Sequence, residues 1–302
     1  MQDILTRADC FVAAIMMGYV LKKLKALPDN TFPVLTKIVV MITAPCAIIH
    51  SFIGTDFDTT MLFLIPMGLL FGAVYMLGAY LVHIKDSADW KSFAILNTSA
   101  FNIGSFTLPF AQGFLGPVGV ITTSLFDIGN ACISLGGAYG VASVVKEGSG
   151  FSLMKIVKML SKSVPFVCYV IILTITLLNI PIPSFISDFT QMVGSGNGFL
   201  AMFMIGVGFE LKADKTQIFK IIKLLLTRYT ISITLAAVCY FLLPFEIAVR
   251  QALVLLVLSP IPSIAPAFTG ELDGDIGLAS AVNSFSIVIS IILIITSLTI
   301  ML

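Results

Sequence analysis

The sequence predicts an all-α polytopic membrane protein: ten transmembrane helices arranged as two inverted five-helix repeats, with broken crossover helices four and nine. Three observations predict this fold. First, of the 302 residues 58% are hydrophobic and only 11% are charged, with a mean hydropathy of +1.06, whereas soluble domains carry about 25% charged residues. Second, the basic residues fall almost entirely on one predicted side of the membrane. Third, one apolar segment in each half is rich in proline, glycine and polar residues.

Ten apolar segments are long enough to cross a bilayer, because a membrane helix needs about 20 such residues. The predicted spans are 8–24, 33–53, 61–83, 92–112, 118–145, 159–181, 192–211, 222–243, 247–268 and 277–301. The connectors are short, and the longest polar stretch is 146–152. We expect the first span to stay in the membrane, because no small-residue cleavage site precedes it.

The distribution of Lys and Arg tests this span count. Alternating ten spans places 15 basic residues on one side: Lys22, Lys23, Lys25, Lys37, Lys85, Lys91, Lys146, Lys155, Lys158, Lys162, Lys212, Lys215, Lys220, Lys223 and Arg228. Only Arg7 and Arg250 fall on the other side. Basic loops favour the cytoplasmic side, so both termini are predicted to be extracytoplasmic.

Ten spans divide into two sets of five, and an odd number per set makes the sets enter the membrane in opposite directions. The predicted repeats are 1–147 and 153–302, which together form one membrane domain. The two broken spans are the fourth of each repeat.

The broken segments run from Asn97 to Pro109 (NTSAFNIGSFTLP) and from Ser259 to Pro266 (SPIPSIAP). Backbone freed from helical hydrogen bonds is tolerated at membrane depth only where protein or a wet cavity encloses it. Paired interruptions in two halves of a chain indicate a binding site near the midplane. The alternative is that the prolines only kink helices within a bundle.

Helix N-termini carry a partial positive charge and bind anions. Because we place no Lys or Arg deep in any span, backbone N–H groups and neutral side chains would have to hold an anion. The candidate substrate-binding residues are Asn102, Gly104, Ser105 and Pro109, where Pro109 starts the second half-helix, together with Pro262, Ser263, Pro266 and Asn283. For Asn283 a role in helix packing is equally compatible with the sequence.

Asp127 lies about ten residues into the fifth span, at a depth of about 15 Å at 1.5 Å per residue. A carboxylate there costs roughly 2.5–3.5 kcal/mol on insertion scales and indicates function. Asn130 follows at i+3 on the same helix face. The pair is a candidate ion-coupling site that would carry H⁺ or Na⁺. Capping of freed backbone and direct contact with substrate remain open for Asp127.

Other site classes find little support in the sequence. The five cysteines fall singly in apolar segments, and His50 and His83 have no second ligand nearby in sequence, so Na⁺ aside we expect no metal and no cofactor. A net charge of +1 gives no indication of nucleic-acid binding. No GxxxxGK[ST], GxSxG or HExxH motif is present, so we expect neither an ATP-driven pump nor an enzyme.

The motifs resemble those of the auxin efflux carrier family, which includes malate-permease-like bacterial proteins. Asn102 with Pro109 is similar to the fourth-span crossover of that family, and Phe126-Asp-Ile-Gly-Asn130 to its Asp-Gln-Gly-Asn element. Ser259 to Pro266 resembles the proline-rich ninth-span crossover, although the proline spacing differs. The long central loop of plant auxin exporters is absent, which favours a prokaryotic member in the bacterial inner membrane.

The resemblance implies a fold related to bile acid/sodium symporters. In that fold the first two spans of each repeat form a scaffold, through which a homodimer is plausible. The other three spans of each repeat form a core that moves in an elevator mechanism. The resemblance also implies an organic carboxylate as substrate.

The sequence therefore favours a secondary transporter of an organic carboxylate anion, coupled to H⁺ or Na⁺. One alternative is a cation/proton antiporter, although that mechanism usually uses two neighbouring acids. Another is a membrane sensor that binds a ligand at the crossover without moving it.

Overall fold

A computed structural model describes residues 2–55, 58–148, 150–209 and 217–302, with side chains from residue 6 onwards. The described chain is helical and contains no strand. The helices are α1 (Gln2–Lys23), α2 (Thr31–Ile38), α3 (Ala44–Phe52), α4 (Leu64–Val82), α5 (Ala88–Leu96), α6 (Leu108–Cys132), α7 (Ala138–Glu147), α8 (Leu153–Lys162), α9 (Val164–Leu177), α10 (Ser184–Ser195), α11 (Asn197–Gly208), α12 (Ile218–Phe241), α13 (Ile247–Val257), α14 (Ala265–Glu271) and α15 (Ile276–Met301).

Five helical segments are long and apolar enough to cross a membrane, and a sixth is added if the bent pair α8–α9 is one span. They are Thr31–Phe52, Thr59–Val82, Ile103–Glu147, Ile218–Phe241 and Ile276–Met301. The protein is thus an all-helical integral membrane protein, but the ten predicted spans are not confirmed by this count.

The count is lower because several predicted spans are interrupted or fused. Ile103–Glu147 covers 45 residues and includes a non-helical residue at Gly116, with φ 62° and ψ −153°. The predicted spans 92–112 and 247–268 are each broken into a helix, a stretch of irregular chain and a second helix. The predicted span 192–211 is divided at Gly196, and its first helix already begins at Ser184.

The predicted sixth span, 159–181, is not one straight helix. The chain forms α8 (Leu153–Lys162) and α9 (Val164–Leu177), which meet at an angle of 79°. Ser163 ends α8 with extended backbone and caps α9 by accepting a hydrogen bond from the Phe166 N–H, while Pro165 lies in the first turn of α9. A cap followed by proline is a strong helix-start signal, so α9 begins anew at this point.

Glycines bring two pairs of helices into close contact. Gly18 of α1 faces the Phe203 carbonyl of α11, and Gly206 of α11 faces the Ile15 carbonyl of α1. Likewise Gly68 of α4 faces the Phe126 carbonyl of α6, and Gly129 of α6 faces the Ile65 carbonyl of α4. A methyl group at any of these positions would overlap the facing backbone, so the contacts require glycine, as in other membrane helix pairs.

Apart from α8, which contacts α9 and α6, the helices pack in two groups. The first contains α1, α2, α3, α9, α10 and α11, whose principal contacts are α1 with α11 and α3 with α10. The second contains α4 to α7 and α12 to α15, with α4 on α6 and α13 on both α12 and α6. Helices α3, α9 and α11 contact α6 across the boundary, and the candidate site lies beside this boundary.

Basic residues link helix ends on the lysine-rich side. Lys146 pairs with Asp89 at 3.5 Å, Lys223 with Asp86 at 3.1 Å and Lys155 with Glu271 at 3.4 Å. The first two ion pairs lie beside a mixed-charge cavity of about 630 Å³. On the other side Arg7 donates to the Gly113 carbonyl and Arg250 to the Tyr240 carbonyl. Lys212 and Lys215 lie outside the described residues.

Candidate functional site

The chain is irregular between α5 and the helical turn that leads into α6. We call residues 97–102 the first crossover. Within it Ala100 has a φ of 63°, a left-handed conformation that costs energy for a residue with a side chain. Helix resumes at Ile103 with a π-helical turn in which Thr107 N–H donates to the Asn102 carbonyl at 3.3 Å.

Pro109 therefore does not start the second half-helix, as the sequence had indicated. The helix begins six residues earlier, and Pro109 lies in the first turn of α6. Proline has no N–H to donate, so it fits where regular helical bonding is already interrupted, here directly after the π-helical turn.

The second crossover comprises residues 258–264, between α13 and α14. Ser259, Pro260 and Ile261 are buried, whereas Ser263 is exposed. Pro266 lies in the first turn of α14, where its missing N–H removes no helical hydrogen bond.

The two crossovers are hydrogen-bonded to each other. Asn102 N–H donates to the Pro260 carbonyl at 2.9 Å. Thr107 Oγ1 donates to Ser259 Oγ at 2.7 Å, and Ser259 Oγ donates to the Asn102 carbonyl at 2.9 Å. Backbone groups that the breaks free are thus partly satisfied by the opposite break, which membrane burial demands.

A cavity of about 1330 Å³ lies against both crossovers. Nearly all of the candidate site residues predicted from the sequence line this cavity. These are Asn102, Gly104, Ser105, Asp127, Asn130, Pro262, Ser263, Pro266 and Asn283. Pro109 is buried and does not line the cavity.

At the crossovers the wall of the cavity includes three neutral polar side chains. Asn102 Nδ2 donates to Ser263 Oγ across the crossovers at 3.1 Å, and Ser105 Oγ donates to Asn102 Oδ1 at 2.6 Å. A Cβ added to Gly104 would meet no atom within 4 Å, so the protein leaves free space beside this residue. The wall can therefore accept a small polar ligand, with hydroxyl and amide donors already in place.

Asp127 and Asn130 hold the first crossover. Asn130 Oδ1 accepts from Phe101 N–H at 3.0 Å, and Asn130 Nδ2 donates to the Phe101 carbonyl at 3.0 Å and to Asp127 Oδ1 at 2.8 Å. Tyr169 of α9 donates from Oη to Asp127 Oδ2 at 2.9 Å. Each carboxyl oxygen of Asp127 thus accepts one protein hydrogen bond while the residue still lines the cavity.

The second crossover is held from α15. Asn283 Nδ2 donates to the Ile261 carbonyl at 2.8 Å and to the Pro262 carbonyl at 3.2 Å. Ser286 Oγ accepts from Ile261 N–H at 3.1 Å. Asn283 therefore both holds the second crossover and lines the cavity, and its role in substrate binding stays a prediction.

Arg228 of α12 contradicts the expectation that no Lys or Arg lies deep in a span. It is fully buried, with an exposed fraction of 0%. Its Nη1 donates to the Thr98 carbonyl, and its Nη2 donates to the Ala100 carbonyl at 3.0 Å and to the Ser259 carbonyl at 2.7 Å. Counting Arg228 among the loop cations was wrong, because it is the eleventh residue of the 24-residue α12.

The surroundings of Arg228 are aromatic. The guanidinium lies 5.2 Å from the Tyr75 ring centroid and 5.7 Å from the Phe101 ring centroid, and cation–π attraction strengthens when the cation is desolvated. Phe101 also lines the cavity, so one ring separates a buried positive charge from the candidate site. The depth argument that identified Asp127 would have identified Arg228 from the sequence as well.

Tyr169 and Ser286 were likewise not predicted from the sequence as site residues. Tyrosine and serine are common in apolar helices, and neither has a spacing that indicates a partner in a distant helix. Among the described residues no group of three or more His, Cys, Asp or Glu side chains is placed to hold a metal ion.

A comparison with protein-family models gives one match. The model described as "Membrane transport protein" matches residues 8–145, which include the first crossover, Asp127 and Asn130. No curated protein matches the chain. Residues 8–145 thus match a membrane transport family, which confirms the resemblance to auxin efflux carriers seen in the motifs.

Proposed function

We propose that this transporter is a secondary carrier of an organic carboxylate anion, with the anion bound at the crossovers and a proton carried by Asp127. The observation that carries the proposal is the cavity at the two crossovers, with Asn102, Ser105 and Ser263 on its wall. Substrate sites beside paired broken helices are the general arrangement in secondary transporters.

Charge distribution supports an anion as substrate. Arg228 lies behind the crossovers and donates to three backbone carbonyls rather than to a carboxylate that would cancel its charge. The wall itself offers hydroxyl and amide donors and the N-terminal end of the helix that begins at Ile103, which favours negative charge. A neutral wall backed by a fixed cation binds a carboxylate without forming a direct ion pair.

Geometry favours H⁺ over Na⁺ as the coupling ion. A cation ligand at Asn130 would have to be Oδ1, and this atom already accepts from Phe101 N–H at 3.0 Å, which leaves it one lone pair for a cation. A proton on Asp127 requires no ligand from Asn130, because a protonated carboxyl group still accepts from Asn130 and gains one donor for the cavity.

We further propose the ten-span, inverted-repeat topology with extracytoplasmic termini in the bacterial inner membrane. The interrupted helices account for the predicted spans that fail a simple length test. In an elevator mechanism helices α4–α7 and α12–α15 would move as a core. Helices α1–α3 and α9–α11 would form the fixed scaffold and the interface of a homodimer. The cavity lining includes Ser163, Gly208 and Gln217 at helix ends on the lysine-rich side, which supports an inward-facing state.

Thermal-shift binding on the purified protein tests the proposal. Malate, succinate and benzoate are added at acidic and at neutral pH, with and without Na⁺. We expect at least one carboxylate to raise the unfolding temperature of the wild type, and Asn102→Ala and Gly104→Val to abolish the shift. Asn30→Ala is the matched control, because Asn30 is exposed and its side chain caps no helix.

A response to Na⁺ or pH alone, without a response to any carboxylate, would instead support a cation/proton antiporter. Binding without uptake in proteoliposomes would support a sensor. The described cavity lining contains no second acid beside Asp127, which weighs against the antiporter.

A further inference from the structure

Helix α8 combines an exposed apolar face with an exposed basic one. Leu153, Met154 and Val157 are 68%, 75% and 57% exposed. Lys158 and Lys162 are exposed one turn apart on the adjacent face, since residues at i and i+4 are neighbours on a helix. The ten residues of α8 contain three lysines and no acid.

A third face of α8 fixes its orientation on the protein. Ile156 is buried against Gly136, where an added Cβ would lie 2.8 Å from Ile156 Cγ1. Lys155 turns back to the protein, with Nζ 3.4 Å from Glu271 Oε2 and 4.1 Å from the Tyr139 ring centroid. The apolar and basic faces are therefore held outward in a defined direction.

The bend between α8 and α9 decides how those faces meet the membrane. The helices are inclined at 79°, so if α9 runs across the bilayer, α8 lies nearly in the membrane plane. An amphipathic helix in that plane sinks its apolar side chains to the acyl boundary and keeps lysines at headgroup level. Lys155 already has Glu271, whereas Lys158 and Lys162 have no ion-pair partner within the described parts of the chain.

We propose that α8 lies in the interface of the leaflet on the lysine-rich side, where Lys158 and Lys162 bind the phosphate groups of anionic phospholipids. The inference does not depend on what the protein transports. Two lysines near an anionic surface strengthen attraction by about fivefold each. A zwitterionic lipid would meet the apolar face equally well, but its headgroup cation offsets its phosphate charge, so the lysines favour the anionic lipid.

Tryptophan quenching in nanodiscs tests this inference. Val157→Trp is reconstituted in phosphatidylcholine discs that contain either brominated phosphatidylglycerol or brominated phosphatidylcholine at the same mole fraction. The parent protein, whose single tryptophan is Trp90, gives the background. The lysine variant is Lys158→Gln/Lys162→Gln. The control Lys37→Gln/Lys85→Gln removes the same charge from exposed positions on the same side.

We expect brominated phosphatidylglycerol to quench residue 157 severalfold more strongly than brominated phosphatidylcholine. This preference should vanish in Lys158→Gln/Lys162→Gln and persist in the control. Equal quenching by both lipids would overturn the headgroup preference, and no quenching by either would overturn the interfacial position. Loss of the preference in the control as well would overturn its assignment to α8.

Discussion

The two crossovers solve the same problem with different chemistry. Each is clasped by an asparagine from the long helix that follows it, Asn130 of α6 and Asn283 of α15. Three residues before Asn130 stands Asp127, whereas three residues before Asn283 stands Ser280. The first crossover thus has a titratable group beside its clasp and the second does not. In the proposed mechanism the coupling proton is therefore assigned to the first crossover.

Helices α4 and α12 also contribute differently. Tyr75 of α4 donates to the Val257 carbonyl at 3.0 Å and shares a hydrogen bond with Ser232. Arg228 of α12 bonds carbonyls of both crossovers. The Tyr75 hydroxyl holds only the chain that enters the second crossover, through one neutral hydrogen bond. The Arg228 guanidinium has several donors and holds the two crossovers together. The comparison teaches that the acid lies in one half and the deep cation in the other.

The largest effect is expected from Arg228→Met. This change leaves three buried carbonyls without their donor, and at about 1–3 kcal/mol for each unsatisfied group the loss is at least about 3 kcal/mol. Tyr75→Phe removes one hydroxyl and should cost about 1 kcal/mol. Thermal unfolding in detergent measures both. Equal destabilisation by the two variants would contradict the joining role of Arg228, and Arg228→Lys should recover part of the loss.

The next effect concerns coupling. Asp127→Asn keeps the side-chain size and removes the titratable proton, so uptake of the bound carboxylate into proteoliposomes should fall at least about tenfold and lose its pH dependence. Ser280→Ala, at the matching position before Asn283, should leave the pH dependence of uptake unchanged, since Ser280 lines the same cavity without a titratable proton. Proton-driven uptake that persists in Asp127→Asn would exclude Asp127 as the carrier.

The asparagine clasps should differ in strength. Asn130→Ala breaks three hydrogen bonds, two to Phe101 and one to Asp127. Asn283→Ala breaks two, and the Ile261 N–H keeps its bond to Ser286. At about 1 kcal/mol per bond we expect Asn130→Ala to be the more destabilising by about 1 kcal/mol in thermal or denaturant unfolding. The reverse order would show that the second crossover is the more tightly held.

The smallest effect lies where the chain enters α5, the helix before the first crossover. Hydrogen bonds from His83 and from Lys223 hold the pKa of Asp86 below its ordinary value of 3.8. A lowered folded-state pKa stabilises the protein above pH 3.8, and this contribution is lost as the pH falls through the folded-state pKa. Asp86→Asn should therefore lower the unfolding temperature slightly at neutral pH. If the difference in unfolding temperature between Asp86→Asn and the wild type does not decrease below pH 3.8, the lowered pKa of Asp86 is not its cause.

The neighbours of Asp127 show how far the sequence reaches into the site. Depth and the i+3 spacing of Asn130 follow from counting along one helix, and both residues do line the cavity. Tyr169 approaches Asp127 from α9, 42 residues away in the chain, and no local pattern encodes that approach. Pro109 illustrates the opposite error, since proline indicates that bonding is interrupted but not on which side of it the helix resumes.

The sequence by itself determined that the chain is an apolar helical membrane protein and that two of its segments are not continuous helix. It also indicated that burying Asp127 in the membrane costs enough free energy to suggest a functional role. These conclusions follow from composition and from the cost of burying polar groups in lipid. Only the tertiary structure decided that Arg228 joins the crossovers, that Asn130 holds both backbone groups of Phe101, and that α8 turns by 79° away from α9. A partner's identity depends on how separate helices pack, and hydrophobic patterning within one helix leaves that packing undetermined.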